Sequence, residues 1–99
     1  MATYGGPETY AVRVADDAMA PRLRAGDYVY VDPEQSAVDG VLVAVRGADP
    51  AAGSAVRRLV VENGRRVLRA ANAGWPDIEI TRDNETMILG TAVMRGETI

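Results

Sequence analysis

The sequence predicts a small, mostly β domain, coiled or closed on itself, with one short helical turn. Three observations predict it. Apolar residues fall in short runs of strand character, and none keeps a helical period over a useful length. Glycine, proline, asparagine and aspartate punctuate those runs where the chain must turn. At 99 residues, the chain has the length of one domain, and it shows neither an internal repeat nor a linker.

The elements follow in order. Residues 1–9 read as a flexible N-terminal segment and residues 10–99 as the folded domain. "TYAVRVA" alternates around Tyr10, Val12 and Val14 and predicts a first strand. Asp16 or Asp17 can cap a single helical turn running through Ala20 to Pro21. "DYVYVD" is dense in aromatic and β-branched residues and predicts a second strand. "VLVAVR" is continuously apolar, as expected of a strand buried on both faces. "GADPAAG", Gly47 to Gly53, reads as a flexible hairpin tip. "AVRRLVV" and "RRVLRA" flank Asn63-Gly64, a strong hairpin signal. "DIEIT" predicts a short strand, and "TMILGTAVMR" the last and longest one.

Composition excludes several function classes. Cysteine and histidine are absent, which removes disulfides and the commonest soft-metal ligands. No loop has calcium-ligand spacing, so neither metal nor cofactor is expected. The net charge of −3 argues against a dedicated nucleic-acid surface. "VLVAV", Val41 to Val45, is the longest apolar run and falls far short of the ~18 residues a membrane span needs. With no signal-peptide pattern at the N-terminus, a cytoplasmic address is expected. All eleven basic residues are arginine, so no lysine can act as a base. A core this small often needs outside support, and self-association is the route the composition leaves.

One stretch is specific. "YAVRVADDAMAPRLRAGDYVYVDP" resembles the opening of the LexA-like peptidase domain of phage repressors and SOS-response regulators. That family reads as a strand, Gly-Asp-Ser-Met-x-Pro, a spacer, Gly-Asp, and a strand ending in Asp or Pro. Asp17, Met19, Pro21, Gly26, Asp27, Val29, Val31 and Asp32 match it. "DGVLVAV" is similar to the family's next strand, "VRRLVVENGRRVLRAAN" to its Val-Lys-Arg-Leu strand, hairpin and Leu-x-x-x-Asn return, and "ILGTAVMRG" to its terminal strand. Each match is weak alone; in this order, from Tyr10 to Gly96, they are specific together.

The resemblance implies a serine nucleophile and a neutral lysine base. The serine falls on Ala18 and the lysine on Arg57. Alanine has no oxygen to attack with, and a guanidinium stays protonated in proteins. Ser36 and Ser54 lie in loop-like segments with no lysine or histidine to activate them. The chain therefore reads as an inactive relative, by drift or by an engineered serine-to-alanine change. The latter would explain Ala18 but not Arg57. The family's upstream Ala-Gly or Cys-Gly cleavage pair is not found in "MATYGGPET"; Ala25-Gly26, Ala52-Gly53 and Ala73-Gly74 read as turns.

Other residues have plainer readings. Asp16 and Asp17 are more simply caps than an acid–base pair. Met19 fits core filling and Pro21 a helix stop. Arg57 needs a partner, with Asp16, Asp17 or Asp39 as candidates. Arg65-Arg66 beside Arg57-Arg58 makes a basic hairpin, either solvated or phosphate-binding. Trp75 packs a rim or meets a partner.

Two functions remain open. In the first, the chain is the regulatory and dimerisation domain of a repressor-like regulator that cannot cleave itself. The terminal strand then offers an edge for a homodimer, with Met87, Ile88, Leu89 and Val93 as contacts. DNA would be bound by a domain outside this sequence, since nothing here reads as helix-turn-helix. In the second, the chain is a pseudo-peptidase that holds a peptide beside Ala18, with the Met19 N–H facing an oxyanion and Arg57 favouring a carboxylate.

Overall fold

The computed structural model describes residues 8–47, 50–94 and 97–99. The expected flexible segment therefore lies almost wholly outside the described residues, as do Ala48 and Asp49 of the loop after β3. Among the described residues eight strands form, β1 (Tyr10–Arg13), β2 (Tyr28–Asp32), β3 (Leu42–Val45), β4 (Ala55–Glu62), β5 (Arg65–Arg69), β6 (Ile78–Ile80), β7 (Ile88–Met94) and β8 (Glu97–Thr98). They make one sheet in the order β1-β2-β7-β3-β4-β5-β6, with β8 paired to β7. Every strand pairing is antiparallel. A parallel bridge between Val14 and Ser54 then ties the end of β1 to the start of β4. It is carried by Ser54 N–H to the Arg13 carbonyl (2.8 Å) and Ala15 N–H to the Ser54 carbonyl (2.9 Å). Strands β1, β2, β7, β3 and β4 thus coil into a partly closed barrel, and β5 and β6 extend it on one flank.

Two apolar clusters sit on the two faces of β3. Leu42 joins Val14, Met19, Leu23, Val29, Val56 and Ala92 inside the coil. Val43 and Val45 join Leu59, Leu68 and Ile80 under the β4–β6 flank. All four β3 residues are buried, as the unbroken apolar run predicts.

The turns follow their chemistry. Asn63 (φ 51°) and Gly64 (φ 76°) both adopt left-handed backbone between Glu62 and Arg65, which pair across the hairpin. Asp17 to Leu23 is a compact turn with bonds from Ala20 N–H to Asp17 O (3.0 Å) and from Leu23 N–H to Met19 O (3.2 Å). The two 3₁₀ turns lie elsewhere, at Pro50–Ala52 and Glu85–Met87. The Gly47–Gly53 loop is docked at its far end: a Cβ on Gly53 would collide with the Arg13 carbonyl.

The terminal strand is not a sheet edge. β7 lies between β2 and β3. Val93, at 1% exposure, is core, and Met87 and Ile88 pack against the second cluster. Leu89 is half-buried and unopposed at a bulge, where Ala44 pairs with Gly90 and Val45 with Ile88. A run of apolar residues reads alike at an edge and at a centre, so local sequence could not place β7.

Candidate functional site

The loop after β1 carries the match to the family motif, and β4 carries Arg57. Ala18 is fully buried, and its main chain is pinned from both sides. Its carbonyl accepts the Ala71 N–H (2.9 Å) and the Asn72 N–H (3.0 Å), and the Asn72 amide donates to the Asp17 carbonyl (2.6 Å). Its N–H donates to Asp16 Oδ1 (3.1 Å). The turn after β5 is therefore stitched to the motif loop.

Arg57 lies 6% exposed beneath this loop. Its Nη1 donates to Asp16 Oδ1 (3.1 Å) and its Nη2 to Asp16 Oδ2 (3.0 Å), a two-pronged ion pair. Nη1 also donates to the Val56 carbonyl (2.8 Å), and Trp75 stacks on the guanidinium with the ring centroid 5.3 Å away. Only its Nε is buried without an acceptor.

Of the three carboxylates open to Arg57 on sequence, the structure selects Asp16. Asp17 Oδ1 instead accepts the Ala25 N–H (2.9 Å), and Asp39 Oδ1 the Val61 N–H (2.8 Å). Asp16 Oδ1 links the Ala18 N–H to Arg57, so the two positions singled out by the motif resemblance meet through one carboxylate. Sequence alone left Asp16, Asp17 and Asp39 open, because only the fold brings one of them to Arg57.

The remaining motif residues hold the loop. Met19 is buried in the barrel cluster. Pro21 is exposed and follows a cis peptide bond from Ala20. Gly26 has φ 93° and donates its N–H to the Val14 carbonyl (2.9 Å). Asp27 Oδ2 accepts the Arg24 N–H (2.9 Å). Ser36 is exposed, and Ser54 belongs to the bridge that closes the barrel. The basic hairpin is matched by acids: Arg65 pairs with Glu79 (3.6 Å), Arg66 with Glu85 (3.1 Å), and Arg69 with Glu62 (3.1 Å) and Asp77 (3.2 Å). A shallow cavity of about 370 Å³ opens among Val12, Arg13, Arg46, Ser54 and Leu89, none of them in the Asp16–Ala18 loop.

Among the described residues no group of three or more potential metal ligands assembles, and no helix is long and apolar enough to cross a membrane.

A coiled antiparallel β domain, with a motif loop after β1 facing the third residue of β4, defines the LexA-like class of phage-repressor C-terminal domains. The comparisons agree: a family described as Peptidase S24-like matches residues 2–93, and the chain belongs to it. It is also 34% identical over 92 residues to the prophage repressor CohE of Escherichia coli (strain K12), covering 93% of this chain. The match covers 41% of that repressor's length.

Proposed function

We propose that this chain is the regulatory and dimerisation domain of a phage-repressor-like transcription regulator, and that it has no self-cleavage activity. The carrying observation is the closed site at Ala18. No hydroxyl stands there, and the position of the base holds an arginine engaged with Asp16. A cationic guanidinium in a two-pronged pair has no lone pair to take a proton with. Losing one member of a catalytic pair removes most of its rate; here both are replaced. Family membership and the similarity to a prophage repressor support the regulatory reading. It brings with it a cytoplasmic address, a homodimer, and DNA contacts made by another domain.

Peptide capture beside Ala18 is the weaker reading. The Ala18 carbonyl and N–H are already bonded to Ala71, Asn72 and Asp16, so an extended segment would have to displace them. Of the four dimer contacts suggested by sequence, Met87, Ile88 and Leu89 stay partly accessible, whereas Val93 is inside the fold.

Two measurements test the proposal. The chain, treated with a fluorophosphonate probe across neutral to alkaline pH, should gain no covalent adduct by mass spectrometry; a stoichiometric adduct would restore the enzyme reading. Sedimentation equilibrium at low and high salt should show a dimer that persists at micromolar concentration. A monomer at every concentration would remove dimerisation as this domain's own role.

A further inference from the structure

We infer that the chain carries a carboxylate-binding cradle whose resident ligand is its own Asp16 side chain. Three donors converge on that carboxylate: Arg57 Nη1 and Nη2, and the Ala18 N–H. Each is held in place by contacts other than Asp16. The guanidinium is also held by the Val56 carbonyl, which accepts from Nη1, and by the Trp75 ring on its face. The Ala18 peptide is fixed because Ala71 and Asn72 pin its carbonyl. Taking Asp16 away therefore leaves the donors preorganised rather than collapsed.

The order of exposure sets the direction of entry. The Asp16 side chain is 20% exposed and that of Arg57 only 7%, so Asp16 is the outer of the two. Vacating it opens the cradle toward solvent. What remains is a buried guanidinium without its counter-charge, already one acceptor short at Nε. Such a group attracts an anion strongly. Its two parallel N–H vectors fit the paired oxygens of a carboxylate better than a spherical ion. The ligand is thus a carboxylate, whether from a small acid or from the C-terminus of a peptide. In the native chain the tethered Asp16 excludes it through its high effective concentration.

The test is chemical rescue of Asp16→Ala by acetate, read by thermal unfolding and Trp75 fluorescence at constant ionic strength. Acetate should raise the melting temperature of Asp16→Ala saturably, by about 5 °C, relative to chloride. The native chain and the double variant Asp16→Ala/Arg57→Met should not respond. An Asp16→Ala protein no more sensitive to acetate than either of these controls would overturn the cradle. Should Asp16→Ala be unfolded in chloride, recovery of its β circular dichroism in acetate supports the assignment. Failure to recover, beside a folded double variant, refutes it. A short peptide with a free C-terminus should rescue where its C-terminal amide does not if the cradle admits chain ends. Rescue by acetate alone restricts it to small acids. Equal rescue by acid and amide contradicts a carboxylate ligand.

Discussion

Arg57 is a strut between three parts of the fold. Its guanidinium spans Asp16, Val56 and Trp75, so it joins the motif loop, β4 and the turn after β5. A lysine there could reach one carboxylate oxygen but would lose the second prong and the planar stack. Arg57→Lys should lower the free energy of unfolding by about 1–2 kcal/mol in urea titrations. Arg57→Ala should cost more, about 2–4 kcal/mol, because it strands the Asp16 carboxylate and empties space under Trp75. If Arg57→Lys is as stable as the native chain, the two-pronged pair contributes nothing. Ala18→Ser gives a separate prediction. A charged Arg57 offers a serine hydroxyl there no base, so the variant should stay unlabelled by fluorophosphonate. Rapid labelling of Ala18→Ser would mean that Arg57 does not block the chemistry. The motif resemblance singled out Ala18 and Arg57 in the sequence. Their link through Asp16 was not legible there, because Asp16 and Arg57 lie 41 residues apart and only the fold brings them together.

Strands and tight turns were the most legible elements, since period-two patterning and turn residues act locally. Asn63-Gly64 is the clearest case, with both residues in left-handed backbone where the sequence places a two-residue hairpin. Gly64→Val should destabilise by about 1–2 kcal/mol, as a β-branched residue resists positive φ. Gly90 is a different kind of glycine, which no turn pattern announced. A Cβ there would come within 2.7 Å of the Asp32 carbonyl oxygen and 2.8 Å of Pro33 Cα. These are backbone atoms that cannot swing aside, so β2 and β7 could not keep their present approach. Gly90→Ala should cost about 2–3 kcal/mol, and a urea midpoint unchanged from the native chain would refute the close approach. The order of the strands was illegible for the same reason as Gly90. Placing β7 between β2 and β3 is a non-local choice, made by burial across the whole sheet. A two-residue strand such as β8 has too little sequence to carry a pattern.

Among the described residues, the large exposed apolar side chains are spread along the chain. Tyr28 in β2 is 67% exposed, Val38 in the loop after β2 55% and Tyr10 in β1 41%. The flank of β4, β5 and β6 is covered instead by exposed ion pairs around Arg65 and Arg69, which salt screens and which add little to stability. A dimer that resists salt must therefore draw on apolar contacts elsewhere. The start of β7 is the place where residues suggested by sequence remain partly accessible, and Leu89 is half-buried at the bulge there. Val93, a few residues on, is buried within the monomer. The two positions should consequently separate folding from assembly. Val93→Ala should lower the stability of the monomer by about 1–2 kcal/mol while the folded protein associates normally. Leu89→Ser, at a half-exposed site, should change monomer stability less and raise the dimer dissociation constant about tenfold, the equivalent of 1.4 kcal/mol. Urea titration and sedimentation equilibrium on the same two variants give four readings. The reverse pattern, with association weakened by Val93→Ala and untouched by Leu89→Ser, would place the interface away from the bulge, since a side chain buried in the monomer reaches a partner only by rearranging β7 itself.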